Sequence, residues 1–196
     1  MSSLIGPLRT AGFLGVLCAV LGVDVSLGAM EVAVAARAEG EDAPGTAGYL
    51  LAAVSLGSVV GGLVWGGRSI RRSTSTQLML LLMALAVGIT AAAVAPTLPV
   101  LGVVLALTGA AVAPAFVVSY LAADRLVPRA GRTEATTWVN TANNIGVALG
   151  SVGAGLLVDQ LTPAAPLLAG TVVLGMTVVV IFASRIAVDR VEPTST

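Results

Sequence analysis

Chemistry-bearing side chains are few in this sequence of 196 residues, and several of them sit inside long apolar stretches. Asp24 and Glu31 occupy one such stretch. Seven residues apart, they fall on nearly the same face of a helix, about 10 Å from each other along its axis. Asp24 lies near the middle of the stretch, where a bare charge in a membrane is costly. Its carboxyl must be protonated, paired or turned to a wet cavity, which makes Asp24 a candidate proton-coupling acid. A tie to backbone or to a neighbouring polar group is the structural alternative. Glu31 lies nearer the outer end, where it meets water or Arg37 as an outer-vestibule acid, or snorkels to the interface. A second apolar stretch carries three amides, Asn140, Asn143 and Asn144, with Thr137 and Ser151. At about 100° per residue, Thr137, Asn140, Asn144 and Ser151 share one face. These groups suit polar contact with a small molecule, or interhelical hydrogen bonds worth about 1 kcal/mol each.

Much other chemistry is missing. There is no His, so His-based triads, His-rich zinc sites and haem ligation have no residues to use. The single Cys18 makes no intrachain disulfide. The sequence also holds neither Gly-x-Gly-Asp nor Gly-x-Ser-x-Gly, so the common hydrolytic arrangements are unprovided for and an enzyme is not expected. No cofactor or metal site is expected either. Ten basic residues, all Arg, balance ten acidic ones, and no basic patch with interleaved aromatics points to nucleic acid.

The elements that must position these residues follow from composition. Of the residues 57% are hydrophobic and 10% charged, whereas a soluble domain averages about 25% charged. Such a chain cannot cover itself with a polar surface. Runs of about twenty apolar residues predict an all-α membrane protein with six transmembrane helices, lipid being the immediate surroundings. The runs cover approximately 10–36, 47–67, 77–95, 98–122, 134–158 and 164–186. They form one domain over 10–186, between a short segment 1–9 and a tail 187–196. The weakest boundary is Ala95-Pro-Thr-Leu-Pro99, where two prolines favour a turn. Arg9 before an apolar run could mimic a signal peptide, but the run is too long and carries Asp24 and Glu31. A first transmembrane helix fits better. Arg9, Arg68, Arg71, Arg72, Arg125, Arg129, Arg132, Arg185 and Arg190 fall on one side of these spans and only Arg37 on the other. The positive-inside rule therefore places both termini in the cytoplasm.

Glycine is grouped. The second span holds Gly57, Gly61, Gly62 and Gly66, the fifth Gly146, Gly150 and Gly153. Small residues four apart clear one helix face for close packing in lipid. In the fourth span Gly109 and Pro114 predict a kink or hinge, because proline removes an amide donor. Tyr49, Tyr120, Trp65 and Trp138 read as interfacial aromatics.

Together these features resemble a known pattern. The segment from Gly48-Tyr-Leu-Leu through Gly57-Ser58-x-x-Gly61-Gly62-x-x-x-Gly66-x-Arg68, with Arg71 and Arg72, is similar to the eighth helix and following basic loop of major facilitator superfamily transporters. The loop motif lacks its acidic residue here. Arg132-Thr-Glu134-Ala through Trp138-x-Asn140 to Gly146-x-x-x-Gly150-Ser151, ending at Asp159, is similar to the eleventh helix. The whole chain resembles the C-terminal six-helix half of a bacterial efflux-type permease. The resemblance implies an inner-membrane protein whose first and fourth helices line a central cavity, bringing Asp24 and Pro114 to the solute and proton path. It also implies that the two glycine-rich helices pack against the other half. The expected function is secondary, proton-coupled transport, with export of a small organic solute, once a second six-helix half is present. That half is a separate chain, a second copy, or a missing N-terminal portion, and Ser3 to Arg9 reads like the end of a central loop, favouring the last. The alternative is a non-transporting membrane interaction or regulatory protein.

Overall fold

The computed structural model describes residues 11–67, 73–128 and 131–189. Among them seven helical segments follow one another: α1 (Ala11–Gly40), α2 (Thr46–Gly66), α3 (Thr74–Ala93), α4 (Leu98–Gly109), α5 (Val112–Leu126), α6 (Arg132–Gln160) and α7 (Ala165–Asp189). In α4 and α5 a single span, Leu98–Leu126, is divided in two, so the described residues hold six helices long and apolar enough to cross a membrane. Hydrocarbon offers the backbone no partners, so each span satisfies its own amides and carbonyls as a helix. Hydropathy runs do not mark where such a ladder stops. Thus α1 continues to Gly40, and α3 begins at Thr74 rather than Gln77. Ser73 sets that start: it is extended, and its side chain accepts the Thr76 amide at 3.3 Å, a helix N-cap. The turn before α4 ends on an extended Thr97, with a proline in the helix's first turn.

The kink expected at Gly109 and Pro114 is a complete break. The Ala110 amide donates to Leu107 O at 3.2 Å and the Ala111 amide to Thr108 O at 3.1 Å. Bonds to the third residue back tighten the chain out of α-helical register. Pro114, lacking an amide, gives the Ala110 carbonyl no donor one turn on.

α1 is the centre of the bundle. Two-thirds (67%) of its most apolar window is buried, against 11% for α2 and 17% for α6, which leave most of their surface uncovered. α3 and α7 pack behind α1 around Leu82, Leu85, Ile89, Leu101, Leu174 and Ile181. There the Ser26 hydroxyl lies 2.8 Å from Gly22 O and 3.0 Å from Gly170 O, pinning α1 to α7, and Thr90 meets Thr171 at 3.0 Å.

Glycine sets the two tightest crossings. On α6, a Cβ at Gly146 would strike Asp24 and Leu21, and one at Gly150 would strike the Val25 carbonyl. On α1, a Cβ at Gly28 would strike the Val147 carbonyl in return. The same arrangement joins α2 to α4: Gly57 sits on the Ala106 carbonyl, Gly61 on that of Ala110, and Gly109 on that of Val54. These glycine faces are therefore filled by helices of this same chain, contrary to the expectation that they await another half. Gly62 has Ala113 Cβ at 3.3 Å from a built Cβ, while Gly66 and Gly153 have nothing within 4 Å. The latter two take no part in packing among the described residues.

Candidate functional site

The sequence-derived polar residues converge where α1, α5 and α6 meet. Asp24 is 2% exposed. One carboxyl oxygen accepts from Asn143 Nδ2 at 3.0 Å, and the other has no hydrogen-bond partner among the described residues. Asn143 reaches it because helical spacing sets this amide beside Gly146 and Gly150, on the face pressed against α1. The close crossing that glycine permits is what brings the amide to the acid.

Beside this pair, Tyr120 on α5 donates its hydroxyl to Asn140 Oδ1 at 2.6 Å. Asn144 Nδ2 donates to the Asn140 carbonyl at 2.8 Å, one turn back. Asn140 and Asn144 are exposed, as are Thr137 and Thr141 on the same side of the helix. Ser151 does not join them. Its hydroxyl turns to α1, 3.5 Å from Gly28 O. A polar face of this kind inside a membrane span is poorly suited to lipid and well suited to water, a ligand or another protein surface.

Tyr120 is a member of this cluster rather than an interfacial aromatic. A signal for it was present in the sequence: Tyr120 and Asn140 are equally far from residue 130, in the short connection between α5 and α6. Two antiparallel helices joined by a tight loop bring such residues level.

Glu31 is separate from the cluster. It is exposed and lines a crevice of about 320 Å³ with Leu27, Met30, Leu51, Val54, Ser55, Ser58 and Val112, between α1, α2 and the break in the fourth span. It does not meet Arg37, whose Nε pairs with Glu41 at 2.9 Å. On the side of the bundle where α1 begins, the cluster is floored by an apolar plug. Phe13, Val16 and Val20 of α1 pack there against Ala122 and Ala123 of α5 and Ala135 and Val139 of α6. At the rim, Arg132 Nε pairs with Asp124 at 3.0 Å. Arg68, Arg71 and Arg72 lie outside the described residues. No group of three or more metal-ligating side chains occurs among the described residues.

Comparison with known proteins gives one match. The family model of the Major Facilitator Superfamily fits residues 12–196, nearly the whole chain. No curated protein matches, and no solved structure matches.

Proposed function

The chain belongs to the major facilitator superfamily, and from that premise we propose that it moves a small organic solute across the bacterial cytoplasmic membrane, outward and in exchange for protons, as one half of a complete transporter. Superfamily transporters bind near the bilayer midplane between two six-helix halves that rock about the site. The uncovered, partly polar α6 and the uncovered α2 are the surfaces this chain would turn to a second half and to the cavity between them. The Arg-rich side faces the cytoplasm under the positive-inside rule.

The observation that carries the proposal is the buried Asp24 carboxyl directly behind the open polar face of Asn140 and Asn144. Intramembrane acids are costly to keep and recur in proton relays. Here the acid has a single amide for company and one oxygen unpartnered among the described residues, so it is available to take up and release a proton. Glu31, in its crevice nearer the outer side, would draw protons or cationic groups toward the path. Asn140 and Asn144 would contact the solute.

The test uses everted vesicles containing the chain together with its second half, with a proton gradient followed by a pH-sensitive dye. Transported solutes from a panel of organic compounds should dissipate the gradient, and Asp24→Asn should remove that response. A solute response that survives Asp24→Asn would show that coupling runs elsewhere.

A further inference from the structure

The crevice at Glu31 takes its place from the two glycine crossings. Gly28 of α1 lies on the Val147 carbonyl as Gly109 of α4 lies on that of Val54. Gly150 lies on the Val25 carbonyl as Gly57 lies on that of Ala106. Val25 and Gly28 are spaced as Ala106 and Gly109 are, so around these contacts the first span corresponds to the fourth residue by residue. Glu31, three residues past Gly28, then corresponds to Val112, three residues past Gly109. Both line this one crevice. Equivalent residues that share a cavity mark the axis relating two repeats, and in inverted repeats that axis lies in the membrane plane, at the depth where solutes bind. The crevice stands about 10 Å outward of Asp24 along α1.

Its lining is chemically simple. Among the described residues Glu31 is the single charged group, Ser55 and Ser58 of α2 supply two hydroxyls, and the remainder is apolar without an aromatic ring. No arginine lines it, and Arg37, the nearest in sequence, is paired with Glu41 at 2.9 Å. The Ser55 hydroxyl donates to Leu51 O at 3.2 Å, which leaves its oxygen to accept. An anion would be repelled by the Glu31 carboxylate, and a neutral solute would cover that charge without pairing it. A quaternary ammonium group is held best by an aromatic cage, which these residues do not provide. A protonated amine meets every feature: its charge pairs with Glu31, its N–H groups reach the serine oxygens, and its carbon skeleton lies on the apolar wall. We propose that this crevice seats the ammonium group of the transported solute, a primary or secondary amine with an apolar body. The proposal rests on the transport function given above and names its substrate class.

The chain together with its second half, in lipid nanodiscs, can be photolabelled with an n-alkyl primary amine that carries a diazirine in its alkyl chain. Mass spectrometry reads the label at Leu51 and Val54, which line the crevice, so the signal does not depend on the Glu31 carboxyl as the reacting group. Labelling there should saturate, and Glu31→Gln should reduce it about tenfold, the effect of losing one charged hydrogen bond. Glu31→Asp keeps the charge and should restore part of it, which separates loss of charge from loss of fold. In the unaltered protein the matched alcohol should not compete, and the N,N,N-trimethyl analogue should compete about fivefold less well than the primary amine, for want of N–H donors. Ser55→Ala/Ser58→Ala should erase that preference while the dependence on Glu31 stays. Labelling that survives Glu31→Gln, competition by the alcohol, a trimethyl analogue as effective as the amine, or a preference that outlasts both serines would overturn the proposal. Labelling needs no gradient, so its outcome is independent of the flux test of Asp24→Asn.

Discussion

At the scale of single residues, the pairing of Asp24 with Asn143 explains how an acid is kept in the middle of a helix bundle. An amide donor stabilises a carboxyl oxygen without adding a second charge, so the group can exist with or without its proton. Removing the amide leaves both oxygens buried and unbonded, which costs about 1–3 kcal/mol for a buried polar group that loses its partner. Asn143→Leu should lower the thermal stability of the protein in detergent by an amount in that range, and Asp24→Leu/Asn143→Leu should recover most of the loss. If the double variant is instead as unstable as the sum of the two single ones, the pair is not coupled. The acid itself was legible in the sequence, since a carboxylate in mid-span stands out on composition alone. Its partner was less so. The face shared by Asn140 and Asn144 excludes Asn143, which belongs to the glycine face, and glycine spacing by itself signals only packing. Polar and packing functions are combined on one face here, because close backbone approach is what lets a short amide reach across.

Among the elements, glycines of the same sequence pattern divide into those that carry a helix crossing and those that do not. Gly150 lies on the Val25 carbonyl, so Gly150→Ala must push α6 away from α1, and overpacking of this kind costs about 1–3 kcal/mol. Gly153, one turn further along, has nothing within 4 Å. Gly153→Ala should be neutral or stabilising by up to about 1 kcal/mol through helix propensity alone. The same contrast should hold between Gly61 and Gly66. Melting of the four single variants in one detergent measures both contrasts, and equal effects at Gly150 and Gly153 would show that the α1–α6 crossing is looser than described. The six spans were legible because hydrocarbon imposes helices of a fixed minimum length. Which glycines pack was not, because that depends on the crossing points of helices far apart in sequence. The break in the fourth span was legible in kind through Gly109 and Pro114. Its completeness comes from the bonds of Ala110 and Ala111 to the third residue back, which two alanines do not advertise.

For the molecule as a whole, the two glycine-locked crossings are one contact seen twice. Numbering the spans from one to six, α1–α6 joins the first to the fifth and α2–α4 joins the second to the fourth. Exchanging spans one to three with spans four to six converts either crossing into the other. Contacts between the first and fourth spans, α1 with α5, and between the third and sixth, α3 with α7, map onto themselves. Because the fourth span enters the membrane from the opposite side to the first, the relation is an inverted repeat, the internal symmetry of superfamily halves. Symmetry of this kind leaves the two faces of the membrane equivalent in packing, so orientation must come from loop charge. Arg125 and Arg132 lie at the α5–α6 connection, while Arg37, across the membrane, is tied to Glu41 at 2.9 Å in a loop that also holds Glu39 and Asp42. In a Cys18→Ser background, Thr97→Cys and Thr162→Cys should therefore react with a membrane-impermeant maleimide in intact cells. Gly131→Cys should react only after permeabilisation. The reverse pattern would invert the protein in the membrane, with the Arg-bearing α5–α6 connection facing outward against the positive-inside rule.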